Sequence, residues 1–147
     1  MATFVPLISS GTAGPLGVLH LPRLWLKASL EARGKLDSRY PGAGPGYDQM
    51  TINALGLNRD AVLAFIKKKR PTYPQFEAWI KSQPGVKLDS ATIEKHNAAV
   101  RGYIHDDETR KGVLANNGLP DDSSAVKDAI HLNDLDSWQE FHADELK

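Results

Sequence analysis

The chain contains no cysteine. That excludes disulfides, thiolate nucleophiles and cysteine-held metal or iron–sulfur centres, and it fits a reducing, cytoplasmic setting. No apolar run approaches the roughly 18 residues needed to cross a bilayer, so no membrane partner is expected. Aromatic residues make up only 7% of the chain. Net charge is also missing, because 18 Lys and Arg balance 18 Asp and Glu. A neutral protein with few aromatics beside its basic run KKKRP (67–71) is a poor nucleic-acid binder. No HExxH occurs, none of the five histidines has a second histidine four residues on, and no Walker pattern follows either glycine-rich stretch. The expectation is therefore no metal and no cofactor.

At 147 residues with 41% hydrophobic content, the chain has the size and composition of one globular domain. Residues 1–20 lack a basic leader and are broken by Pro6, Gly11, Gly14, Pro15 and Gly17. They read as an N-terminal arm or lead-in, not a signal peptide. Residues 21–147 read as a single helical domain. Charge is uneven along it: ten basic against four acidic residues through Tyr73, then eight against fourteen from Pro74 onward. Two halves of one domain that attract each other explain this. A basic face for an anionic partner, or a head-to-tail homodimer, explains it as well.

Helical signals dominate and no period-2 alternation appears, so the expected fold is all-α, a compact array of about six to eight helices with short loops. A first helix begins near Leu21 with Pro22 in its opening turn and ends near Gly34. Leu21, Trp25, Ala28 and Ala32 form its stripe. A second runs from Tyr47 to Leu55 with Gly56 as its stop. Asn58 caps a third and Pro71 ends it. Thr72 and Gln75 form a capping box for a fourth. Ser90 caps a fifth over about 91–104, with Ile93, Val100, Tyr103 and Ile104 inward. A sixth covers about 107–115, and two short helices follow near 124–130 and 136–145. Trp25, Trp79 and Trp138 read as core aromatics.

Three stretches carry candidate chemistry. In LPRLWLKA (21–28), Arg23 and Lys27 are four residues apart and share a helical face. Arg can grip a carboxylate or phosphate with two hydrogen bonds, and a desolvated Lys can move a proton. Two solvated charges, or salt bridges to the acidic half, would fit the same spacing. RYPGAGPGYDQM (39–50) is too proline-rich for a phosphate cradle, since Pro41 and Pro45 remove two N–H donors. It reads as a stiff connector that carries Tyr47 and Asp48 back toward Arg23 and Lys27. In IHDDETRK (104–111), His105 is a candidate general base, while Asp106 and Asp107 suit a helix start.

Leu21, Pro22, Arg23, Lys27, Ala28, Tyr40, Asp48, Leu55, Gly56 and Leu57 together resemble the bacterial family of domains of unknown function numbered 5069. Its members share a Leu-Pro-Arg opening with Lys-Ala shortly after, a small-residue loop with an Asp, and a Leu-Gly-Ile-like turn. The tail DSWQEFHADE is similar to the aromatic, acidic ends of some members. The resemblance is loose over most of the chain and specific within about 20–60. It implies a small, mostly helical, bacterial-type soluble domain, names no activity, and singles out Arg23, Lys27 and Asp48 as a set.

The functional expectation is a pocket for a small anionic or carbonyl-bearing molecule. Arg23, Trp25, Tyr40 and Tyr47 would bind it, and Lys27, Asp48 and His105 would carry acid–base chemistry. As an enzyme this would be a metal-independent lyase, isomerase or hydrolase. The rival expectation is a non-catalytic interaction or self-association module. A third is a structural Arg23–Asp48 network with every donor satisfied.

Overall fold

Local signals place most helix ends. The structure, a computed structural model, describes residues 2–147. Its order is α1 (Leu21–Ala32), α2 (Tyr47–Ala54), α3 (Arg59–Lys69), α4 (Tyr73–Lys81), α5 (Ser90–Gly102), α6 (Asp107–Asn116) and α7 (Ala129–Phe141), closed by a π-helical turn at His142–Leu146. Among the described residues extended pairing is limited to isolated bridges, so the domain is all-α.

The α3 cap is the Asn58 side chain accepting from the Ala61 N–H. The expected Thr72–Gln75 capping box closes the start of α4 in both directions. At α5 the cap is Asp89, which accepts from Thr92 N–H, and not Ser90. Asp106 caps α6 and Asp128 caps α7 in the same way. Gly56 ends α2 at φ +69, and an added Cβ would stand 3.1 Å from the Gly85 carbonyl oxygen. This is the left-handed position at which a helix stops most cheaply on glycine.

One core joins α1 to α4, built on Leu21, Leu24, Ile52, Ile66, Phe76 and Ile80. A second, smaller cluster of Val113, Leu114 and Leu132 seals α6 against α7. Helix α5 bridges the two, touching α2 on one side and α7 on the other. The N-terminal arm lies against this body: Phe4 exchanges backbone hydrogen bonds with Lys35 and Asp37, and Val18 is part of the larger core.

Four expectations are corrected. Tyr103 and Ile104 are exposed, Ile104 by 62%. Helix α5 ends at Gly102, and Ile104 turns outward to bridge Asp128. No helix covers 124–130, because Asp128 is the cap that starts α7. The two expected tail helices are one, continued by the π-helical turn. Trp138 is 55% exposed; the residues that α7 buries are Ala129 and Leu132 near its start and Asp134, Ser137 and Glu140 further on. Trp79 packs as expected, stacked on Phe65 at 4.6 Å between ring centres. Among the described residues no helix is long and apolar enough to cross a membrane.

Candidate functional site

Helix α1 buries two faces. Leu21, Leu24 and Ala28 enter the apolar core, while Arg23 and Lys27 are buried on the adjoining face with His20 just before the helix. His20 occupies the N-cap with φ 72 and makes no side-chain cap. This left-handed conformation is uncommon for a residue bearing a Cβ. It turns the imidazole inward, where the ring is held at both nitrogens. Nε2 lies 2.6 Å from Asp48 Oδ1, and Nδ1 lies 3.0 Å from Ser10 Oγ.

Asp48 is the hub. It stands in the first turn of α2, where a carboxylate complements the helix dipole. Its Oδ2 accepts from Lys27 Nζ at 2.7 Å and from the Gly44 N–H at 2.7 Å. The Gly/Pro loop thus turns one N–H onto the carboxylate while delivering Tyr47 and Asp48 to α1. Burial works to raise the Asp48 carboxyl. The hydrogen bond from His20 and the Lys27 ammonium outweigh it and hold the group at about 2. Burial pushes His20 down and so favours its neutral form; hydrogen bonding to Asp48 only partly opposes this. The neutral tautomer that fits donates from Nε2 to Asp48 and accepts at Nδ1 from Ser10. Burial also pulls Lys27 down, with Asp48 opposing.

This trio forms one wall of a cavity of about 260 Å³. Its lining also includes Asn133 and Asp136 of α7 and His105, which follows α5. Tyr47 and Tyr103 also line it, their ring centres 5.3 Å apart. Tyr47 donates its hydroxyl to the Val100 carbonyl at 2.5 Å. Tyr40 donates to Glu140 Oε2 at 2.5 Å. Both phenols are raised, chiefly by burial, so neither is a phenolate base near neutral pH. Burial also raises Asp136. His105 Nε2 meets Asn133 Oδ1 at 2.9 Å.

Of the residues expected at a site, Arg23, Lys27, Tyr40, Tyr47, Asp48 and His105 line this one cavity. Trp25 does not. Its indole N–H donates to the Pro71 carbonyl at 3.0 Å, and its ring meets Tyr73 edge-on. Arg23 makes no bond to Asp48. Its Nη1 donates to the Pro6 and Ile8 carbonyls at 2.9 Å each, and its Nη2 reaches Ser137 Oγ at 3.3 Å. It ties the N-terminal arm and α7 to α1. Asp106 and Asp107 belong to helix capping and to an ion pair with Arg110. No grouping of three metal-ligating side chains occurs among the described residues.

No protein-family model matches the chain, and no protein of curated function matches it. The geometry therefore stands by itself.

Sequence reasoning missed His20, Ser10, Arg39 and Asp136. His20 directly precedes LPR and lies three and seven residues before Arg23 and Lys27, a spacing that shares one helical face. That spacing was the available signal. Arg39 sits at the cavity edge, 43% exposed, paired to Asp37 and Asp144 at 2.7 Å each. Its Nη1 makes no hydrogen bond among the described residues, whereas both terminal nitrogens of Arg23 are engaged.

Proposed function

We propose that this cavity binds a small anionic or carbonyl-bearing molecule, and that the Lys27–Asp48–His20 chain carries acid–base chemistry on it. One observation carries the reading. Two nitrogen groups converge on both oxygens of a buried carboxylate, at the wall of a cavity large enough for a small metabolite. Buried titratable groups coupled in this way cluster at functional sites. Lys27 is the group that gives or takes the proton, Asp48 sets its charge, and His20 holds Asp48. Arg39 supplies the cation with a donor, Nη1, free among the described residues, and Arg23 adds fixed positive field. The reaction class is a lyase, isomerase or hydrolase step that needs side chains alone. The chain is read as a cytoplasmic relative of the bacterial family numbered 5069, on the strength of Leu21–Ala28, Asp48 and Leu55–Leu57.

A thermal-shift series with small carboxylates, 2-oxo acids and phosphates tests this. A ligand at a hundred times its Kd adds about 2.7 kcal/mol. For a chain of this size that is a rise of about 5–10 °C. The rise should disappear in Lys27→Met and shrink in Arg39→Gln. A flat response across the series, with both variants folded, rejects the reading.

A second reading, self-association through α7, is favoured by the exposed Trp138. It predicts a dimer in sedimentation that Trp138→Glu dissociates.

A further inference from the structure

The Lys27 ammonium has three N–H bonds, and among the described residues Asp48 is its one hydrogen-bond partner. The side chain is 8% exposed and lies on the cavity wall. A buried ammonium with one fixed partner and two N–H bonds left for the cavity is unusual, because burial favours full pairing of charged donors. Building on the pocket reading above, we propose that Lys27 forms an imine with a small 2-oxo acid, with Arg39 receiving the acid's carboxylate.

The step balances without a co-reactant. Nζ gives up a proton and its freed lone pair forms a C–N bond to the carbonyl carbon. The C–O bond breaks, and the oxygen leaves as water carrying the two protons that Nζ has shed. The product is an iminium that keeps one N–H and the single positive charge. The Asp48 carboxylate, 2.7 Å from Nζ, pairs with the ammonium before the step and with the iminium after it. The charge at this wall therefore does not change during the step. His20 keeps Oδ1 occupied and leaves Oδ2 directed at Nζ.

The size and charge of the cavity define the substrate class. A volume of about 260 Å³ admits a short oxo acid. Arg39 is held by the buried Asp37, through Nε and Nη2, and by the more exposed Asp144, through Nη2. Its Nη1 has no hydrogen-bond partner among the described residues and is the donor left for a ligand carboxylate.

Reductive trapping tests this. The intact protein is incubated with pyruvate or glyoxylate and cyanoborohydride, digested, and mapped by mass spectrometry. The expected result is an adduct on Lys27, equal in mass to the oxo acid less one oxygen atom. It should form at least about tenfold faster than on the exposed lysines, as for other activated lysines. Lys27→Arg should lose the adduct, and circular dichroism reports whether that variant folds. Mapping on the wild type stands without it. Arg39→Gln should slow trapping of the oxo acid and leave trapping of propionaldehyde unchanged.

Labelling of Lys27 no faster than surface lysines overturns the imine. If the same oxo acid still raises the melting temperature, the pocket reading survives that failure. If neither adduct nor shift appears, both fall. Equal trapping of oxo acid and aldehyde by wild type and Arg39→Gln overturns the role given to Arg39.

Discussion

Asp48→Asn is the most informative single change. Asparagine keeps the size and one carbonyl oxygen but removes the charge that Lys27 and His20 share. Both partners are buried, so the variant leaves an ammonium without a counter-charge. Removing one partner of a buried pair costs about 3–5 kcal/mol. A domain of this length has on the order of 10 kcal/mol of net stability, so the variant should still fold. At about 2–4 °C per kcal/mol, its melting temperature should fall on the order of 10 °C. The pH dependence makes the argument specific. In the wild type the folded-state Asp48 value lies below its ordinary 3.8, at about 2. Its stabilisation is complete above the ordinary value and is lost as pH falls from about 4 toward 2. The gap amounts to about 2 kcal/mol. The variant should lack this component of the acid slope. Lys27 is already lowered by burial, and without Asp48 it is lowered further. A cation weakened by folding costs stability while it stays protonated, and that cost is relieved as pH rises toward its ordinary 10.5. The deficit of the variant should therefore shrink between pH 7 and pH 10. Urea denaturation across pH 2–10 measures both slopes. A variant within about 1 kcal/mol of wild type at pH 7, with the same acid slope, would refute the coupled buried pair.

Two further changes test the frame that holds the site. Phe76→Ala removes a fully buried ring between Tyr73 and Trp79 and should cost about 3–5 kcal/mol in denaturant midpoint at unchanged m-value. Asp89→Ala removes the α5 cap and should cost about 1 kcal/mol. Ser90→Ala, one residue along, should be neutral within about 0.5 kcal/mol, and equal losses in the two would reject the cap assignment.

The helices and the site were legible in the sequence to different degrees, for a physical reason. Asn58, the Thr72–Gln75 box, Pro71 and Gly56 act on backbone groups within four residues of themselves, so they mark helix ends whatever the rest of the chain does. The absence of strand patterning and the helical spacing of stripes such as Leu21, Trp25, Ala28 and Ala32 likewise pointed to an all-α domain. The Arg23–Lys27 spacing was enough to show a shared helical face, though not what that face meets. Tertiary structure alone decided that His20 and Lys27 divide one carboxylate, that Arg23 serves the arm and α7 rather than Asp48, and that Trp25 points elsewhere. It also decided that α7 buries Asp134, Ser137 and Glu140 along with Leu132 and leaves Trp138 outside. Tyr40 finds Glu140 a hundred residues away, and Ser9 finds Asp134 across 125. Contacts at such separations depend on how α1, α2 and α7 pack, and packing is set by the summed burial of all three helices. No local signal in any one of them carries that information.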